Sequence, residues 1–517
     1  MPEVVSVSLK VGLEVHVELA TRSKVFSSAP NPAHPDHDGA GPNTLIDPTV
    51  LALPGSLPIL NRAAVERSIL VGLALGCEIP QRTKWDRKSY FYPDLPKAYQ
   101  ISQYDLPLCR DGAVDLPEAD ADGFPDFSKP TRRIRIIRAH LEEDAGKLLH
   151  EAPGGGASDV TLVDYNRAGT PLLEIVTAPD FDSPQSVVLF ARMLRRTCRY
   201  LGATEGVMQK GHMRFEPNIN CDLVLSDGRR VTTPIVEVKN LNSFKSLLGA
   251  IDYEMAYQPR RYPEDGRTMG PGEKTTRGWD DVRGVTFPQR EKEDAHDYRY
   301  FPDPDLPPVH VDAGWRDRIA ATLPEPAERR LRRYIERYDL KVKEAAALVE
   351  ERPCSDLFEA VIRGIVDAGV REERAGKIAA NLLLQQAMKH ANERGVQVHE
   401  LGLLPGPLAS LAVLREQGRI GNQGVDSLFT VLVEQPDAVP DDLARRMGLL
   451  IVRDQGAMDA WIEAAFAAHP KSVEDVRAGK VQAVGRLVGE VMKHAGGAAD
   501  AKSVRDEILR KLTVVGQ

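Results

Sequence analysis

Between Val11 and Leu19 every odd-numbered residue is apolar, while the even positions hold Gly12, Glu14, His16 and Glu18. A strict period of two sends alternate side chains to opposite faces of a β-strand. One face of this strand must therefore be buried, and the other presents two carboxylates and an imidazole. Same-face neighbours sit roughly 6.5 Å apart, at ~3.3 Å of rise per residue. Only a sheet packed on one side accepts such a strand. The pattern recurs from Met213 to Leu225, where Met213, Phe215, Ile219, Cys221, Leu223 and Leu225 oppose Arg214, Glu216, Asn218, Asn220 and Asp222. From Ile235 to Leu241, Val236 and Val238 oppose Glu237 and Lys239. Half-buried strands of this kind predict an antiparallel sheet with helices on its apolar face. Ser183-Pro184 starts one such helix with an N-cap and a proline at the first helical position. Val187, Phe190, Ala191, Leu194, Cys198 and Leu201 follow at helical spacing, and Gly202 can end the run. Its outer face carries Arg192, Arg195, Arg196 and Arg199, which suit a solvated surface or a contact with RNA or a partner protein.

The texture changes twice further along the chain. From about Trp315 to Arg446 it is rich in Ala, Leu, Arg and Glu at helical spacing, and from about Leu449 helical runs are broken by Gly and Pro. We read an α+β chain: a catalytic domain over 1–312, an all-α domain over 313–447 and a small all-α tail over 448–517. Pro30–Pro42 and Gly266–Gly278 read as long loops. The formal net charge of −8 lacks the basic surplus of a non-specific nucleic-acid binder, so any RNA must be met by local patches and shape. Arg329, Arg330, Arg332 and Arg333 form the densest such patch, serving either RNA phosphates or a Glu-paired helix surface. In the tail, Gly485 and Gly489 at i, i+4 predict close approach of a neighbouring helix, with Arg486 and Lys493 projecting elsewhere toward RNA phosphates. Five dispersed cysteines without a CxxC pair fit a reducing cytoplasm. No leader pattern is expected at the N-terminus, and no apolar run nears the roughly 20 residues a membrane span needs.

Glu174 lies inside Leu172-Leu173-Glu174-Ile175-Val176. An ionised carboxylate among buried aliphatics is costly unless paired or bound to a metal. In His140-Leu141-Glu142-Glu143-Asp144, adjacent acids would repel one another without a cation. Beside Glu14, His16 and Glu216 these residues suggest a site of carboxylates with one imidazole, which suits Mg²⁺ or Mn²⁺ rather than a structural zinc. The alternative is that each acid pairs separately with a surface Arg or Lys, and that Glu18 merely orients His16. The chain has no GxxxxGK[ST] loop, no HExxH and no kinase Gly-rich loop. Pro153–Gly156 reads as a turn. An amidase Ser/Lys/Ser signature and an N-terminal Cys nucleophile are missing, so glutamine hydrolysis is not expected on this chain.

Longer strings carry a resemblance. Val11–Val17, Trp85–Asp94, Lys97–Gln103, His140–Lys147, Asn166–Val176, Val238–Phe244 and Asp297–Pro302 resemble, in order, the B-subunit family of the aspartyl/glutamyl-tRNA(Asn/Gln) amidotransferase. Ser472–Asp475 and Gly485–Lys493 resemble its tail. The resemblance implies a cradle-like catalytic domain, a helical domain and a tail that touches tRNA. It implies ATP and Mg²⁺ (or Mn²⁺) as cofactors. As partners it implies mischarged tRNA(Gln) or tRNA(Asn), an amidase A subunit, and a small C subunit. Carried over by motif, Glu14, His16, Glu142, Glu143, Glu174 and Glu216 are the metal candidates, with Glu14, His16, Glu142 and Glu174 central to catalysis. Lys88 and Lys97 are candidates for holding phosphates, or for simple pairing with Asp86 or Asp94. Three departures stand out. The positions of a zinc knuckle found in many members hold Ser27, Ala29, Asp47 and Val50, so no structural zinc is expected. Glu216 stands where the family usually has Asp. Asp115–Lys129 reads as an insertion. Competing readings are an ATP-dependent ligase using free ammonia without tRNA, and a non-catalytic tRNA scaffold that would not need the acids. The archaeal E subunit, a relative of the catalytic domain, carries a large extra domain for which this chain has no room.

Overall fold

The computed structural model describes residues 2–151, 157–290, 298–451, 455–478, 480–495 and 499–513. The Pro153–Gly156 turn and Asp297 lie outside the described residues. The chain divides into two compact units, Met1–Glu328 and Arg329–Gln517.

In the first unit the alternating segment is part of a 15-residue strand, Val4–Glu18. It lies inside a nine-stranded sheet ordered Val285–Arg290, Thr275–Asp280, Val236–Lys239, Met213–Leu225, Val4–Glu18, Pro171–Thr177, Arg132–Glu143 and Cys109–Leu116, with Arg230–Thr232 also paired to Met213–Leu225. The pairs are antiparallel except Val236–Lys239 with Thr275–Asp280. The helix Phe244–Asp265 lies between those two strands in sequence, and such a crossover is what permits parallel pairing. The sheet is thus mixed rather than wholly antiparallel.

Its apolar face holds Leu9, Val11, Leu13, Val15 and Val17, all buried with Phe215, Ile219 and Leu223 in one core. Helices Arg62–Ala74, Pro184–Tyr200 and Phe244–Asp265 contribute to the same core. Ser183 Oγ accepts from Ser186 N at 3.3 Å, and Gly202 takes φ 62°, as the cap residues predict. The helix's outer arginines are engaged internally rather than left as a free stripe. Arg195 Nε donates to Gly206 O at 2.7 Å, Arg196 pairs with Glu328, and Arg192 lies over the Phe244 ring.

A small sheet of Phe301–Pro302, Asp86–Ser89 and Tyr99–Ser102 abuts the Arg132–Glu143 strand. Trp85 anchors it: fully buried, its Nε1 donates to Leu141 O at 2.9 Å. The Asp115–Lys129 insertion contains a short hairpin, Glu118–Ala119 against Pro125–Asp126. In the knuckle loop, Ser27 Oγ accepts from Ala29 N at 3.0 Å and Asp47 Oδ1 from Val50 N at 2.8 Å. Ala29 and Val50 pack with Ala168, Ile46 and Tyr165. The buried Lys24 ammonium donates to Ala168 O at 2.6 Å. Local turns, a small apolar cluster and one buried cation hold this loop.

The second unit is helical. Arg330 pairs with Asp356, Arg332 with Glu336 at 2.7 Å and Arg333 with Glu359 at 2.6 Å, so most of the densest basic cluster is a Glu/Asp-paired surface. Within the unit a separate core gathers Ile462, Val473, Leu487, Val491, Val504 and Ile508. The helix Val484–Ala495 presents Leu487 and Val491 to it. Gly485 and Gly489 do not serve close packing as expected: a Cβ built on either meets nothing within 4 Å. Glycine inside a helix costs roughly 0.5–1 kcal/mol relative to alanine through backbone entropy. Gly489→Ala should therefore raise unfolding free energy by about that amount in a denaturant titration, and a loss of stability would reveal a packing role.

Candidate functional site

Strand register builds the site. Glu14 lies opposite Glu216 on one neighbouring strand, and His16 lies opposite Glu174 on the other. Glu174 in turn lies opposite His140, two residues before Glu142. Pairing across four strands thus carries one polar row over the face away from the helices. His16 Nε2 stands 3.4 Å from Glu174 Oε2 and 3.6 Å from Glu14 Oε1. His140 Nε2 stands 3.8 Å from the same Glu174 oxygen and 3.5 Å from Glu142 Oε2. Among the described residues two groups could hold a metal, Glu14/His16/Glu174 and His140/Glu142/Glu174. Glu174 belongs to both.

The two groups differ at the far ring nitrogen. Arg138 Nε lies 3.3 Å from His140 Nδ1, so that nitrogen is engaged while His140 Nε2 faces Glu142 and Glu174. His16 Nδ1 is buried without a hydrogen-bond partner, and Glu216 Oε1 approaches it to 3.8 Å. A carboxylate beside Nδ1 orients an imidazole whose Nε2 faces a cation. The longer Glu216 side chain thus lies behind His16 rather than among the three possible ligands, and Lys239 Nζ holds its other oxygen at 2.6 Å. Carboxylates plus one free imidazole nitrogen match the donor set of Mg²⁺ or Mn²⁺. On this geometry Glu14, His16 and Glu174 fit such an ion best.

Charge within the row is tightly balanced. Burial opposes ionisation of Glu174, yet the cations around it (His140, His16 and Arg138) hold its pKa well below the carboxylate range. Burial and the Glu174 charge push the Glu14 carboxyl up. Glu142 is buried, but the hydrogen bond from His140 and the Lys88 charge hold its pKa down despite Glu174. Ser102 Oγ donates to Glu142 at 2.7 Å. Beyond His16, Arg214 bridges Asp144 and Glu18. Burial and the Asp144 charge push the Glu18 carboxyl up to about 8.

Adjacent acids on a strand face opposite ways. Glu143 therefore turns from the metal candidates: Lys97 Nζ pairs with it and Ile101 N donates to it at 2.9 Å. Lys97 is engaged there, and Asp86 pairs with Lys84. Lys88 Nζ lies 4.9 Å from the Tyr298 ring centre. Burial disfavours its charge, but Glu142 and the nearby phenols more than offset that and push its pKa up. His140, to which the motifs assign no role, belongs to the row. Its signal is in the alternation: Ala139 and Leu141 are buried, and Arg138, His140 and Glu142 alternate with them.

A family model described as the GatB/GatE catalytic domain matches residues 9–317, and one described as the GatB domain matches 364–512. Similar curated relatives are called B subunits of the aspartyl/glutamyl-tRNA(Asn/Gln) amidotransferase. That of Thermomicrobium roseum is 41% identical, covering 97% of this chain and 98% of the relative. That of Carboxydothermus hydrogenoformans is 38% identical with the same coverage, and that of Synechococcus elongatus is 40% identical over 97% of each chain.

Burial opposes protonation of His16, but the hydrogen bond to Glu174 and the Glu216 charge outweigh it and raise the pKa from 6.5 to about 9. A raised imidazole pKa stabilises the fold fully below the unfolded value, and that contribution is lost as pH rises through the folded one. Metal-free protein should thus lose about 3 kcal/mol from this group between pH 6.5 and 9, and His16→Gln should flatten that part of the profile. Equal slopes for both proteins in denaturant titrations would contradict the assignment.

Proposed function

We propose that this chain, which belongs to the B-subunit family of the aspartyl/glutamyl-tRNA(Asn/Gln) amidotransferase, uses ATP to activate the side-chain carboxylate of mischarged Glu-tRNA(Gln) or Asp-tRNA(Asn). The carboxylate takes the γ-phosphoryl group and ADP leaves. Ammonia then displaces phosphate from the acyl phosphate to give the amide. The observation that carries this reading is the single oxygen of Glu174 facing both His16 and His140, in a row of acids too dense to be a plain ion-pair surface.

The substrate carboxylate, with a pKa near 4, is already ionised and needs no general base. The difficulty is bringing that anion to a triphosphate. A divalent ion supplies charge screening and stabilises the transferring phosphoryl group when bound. Glu14, His16 and Glu174 are the residues that would hold it. His140, shared with Glu142, would steady Glu174, and Glu216 would keep His16 Nδ1 protonated so that Nε2 stays free. Lys88, charged and next to the acid row, is the candidate for a phosphate contact. Lys97, committed to Glu143, would position the small sheet rather than touch phosphate.

An amidase A subunit would supply the ammonia, and the assembly in the cytoplasm would be completed by a small C subunit. No helix among the described residues is long and apolar enough to cross a membrane. We assign the catalytic part to 1–312, a helical part to 313–447 and a tRNA-touching tail to 448–517. The separate core around Leu487 and Val491 supports the last boundary.

With the partner subunits, Mg²⁺ and Glu-tRNA(Gln) or Asp-tRNA(Asn), ATP cleavage should depend on the charged tRNA. Glu174→Ala should lower it by more than about 100-fold. Unchanged turnover in the variant would refute the site, and turnover indifferent to tRNA would favour the free-ammonia ligase.

A further inference from the structure

The small sheet beside the acid row and the segment facing it carry tyrosines that phosphoryl transfer leaves unused. Tyr104 and Tyr300 stack with ring centres 4.5 Å apart and planes 14° from parallel. Tyr300 meets Tyr298 edge-on at 6.3 Å, and Tyr298 meets Tyr90 edge-on at 6.0 Å. Lys88 Nζ lies over the Tyr298 and Tyr90 rings at 4.9 and 5.9 Å. A continuous aromatic wall therefore runs from Tyr104 to the ammonium next to the acids. The wall is electrostatically coupled to the row: burial pushes the Tyr300 phenol up, Lys88 opposes that, and the charges of Glu142 and Glu174 add to it.

The outer end is built differently. Tyr104 is 63% exposed although Tyr300 covers one of its faces, so the other face is open. Its backbone is fixed, with Tyr104 N donating to Asp86 Oδ2 at 3.2 Å, and Asp86 itself is buried and paired with Lys84. A rigid, flat, half-covered aromatic face serves no core. Such a face is suited to stacking against a nucleic-acid base, because every base presents a π-face.

We propose that Tyr104, backed by Tyr300, is the stacking platform for an adenine ring at the mouth of the acid row. The ring belongs either to ATP or to the 3′-terminal adenosine of the charged tRNA, the two adenines that the proposed reaction brings to this site. The platform rests on the phosphoryl-transfer reading and gives it a positioning residue. Stacking fixes the base at the outer end of the wall, and Lys88 and the acids receive the reacting end of the same nucleotide.

The test uses the chain assembled with its partner subunits, as wild type, Tyr104→Ala and Tyr104→Phe. KM for ATP and KM for charged tRNA are measured separately, with kcat. In parallel, 2-aminopurine fluorescence is followed in two probes, 2-aminopurine riboside triphosphate and a tRNA ending in 2-aminopurine. Tyr104→Ala should raise one of the two KM values about tenfold, leave kcat within about twofold and abolish quenching of the matching probe. Tyr104→Phe, which keeps the ring, should restore both readouts. The KM that moves identifies the source of the adenine. Wild-type KM values and quenching in the Ala variant would overturn the platform, as would a Phe variant no better than Ala. Wild-type turnover tests the phosphoryl-transfer reading by itself. The Ala–Phe difference in probe quenching tests the platform even where that turnover is absent.

Discussion

One carboxylate organises the first unit. Glu174 is nearly buried on an inner strand, held ionised by an imidazole from each neighbouring strand and by Arg138 at its other oxygen. A lone ionised acid there would cost several kcal/mol, which the surrounding cations and hydrogen bonds must offset. The strand register supplies them, because His16 and His140 sit directly opposite Glu174 on its two sides. A slip of one residue in either pairing would turn these side chains to the apolar face. The buried valines of Val4–Glu18 exclude that slip, so hydrophobic packing on one face fixes electrostatic geometry on the other.

Around this centre several further charges have partners that hold them in place. Lys239 steadies Glu216 and Glu237, Arg214 bridges Asp144 and Glu18, and Lys97 holds Glu143 at the strand's end. These pairs leave His16 Nδ1 and one oxygen of Glu18 as buried polar atoms without hydrogen-bond partners. Such atoms are rare in folded proteins and concentrate where a ligand, ion or proton completes the set. Arg214 Nε, next to Glu18, is a further such atom, so the unsatisfied groups include members of the row and of the pairs that flank it.

Period-two alternation was enough to read the half-buried strands, their polar face and Glu14, His16 and Glu216 upon it. It also held the signal for His140, whose place beside Glu142 follows from the same rule once 138–142 is taken as strand. The rule likewise separates Glu143 from Glu142, whereas proximity in sequence had grouped them. Pairing between distant strands was not legible: nothing in the local sequence says that Pro171–Thr177 lies between Val4–Glu18 and Arg132–Glu143. The parallel pair at Val236–Lys239 escaped for a similar reason, since it depends on where the Phe244–Asp265 helix returns the chain. Composition misled at the surface. Arg192, Arg195 and Arg196 read as an outward stripe but are tied to internal partners, and Gly485 and Gly489 read as a packing face but open onto empty space.

The account stands on Glu174 as the shared anchor of a cation site, which direct metal binding tests without reference to turnover. Mn²⁺ titrated into the chain and followed by electron paramagnetic resonance should bind the wild type and Glu143→Gln alike. Glu174→Gln, which keeps the shape but removes the charge, should weaken binding by at least about tenfold, as expected for loss of an anionic ligand. Wild-type Mn²⁺ affinity in Glu174→Gln, or its loss in Glu143→Gln alone, would contradict the account.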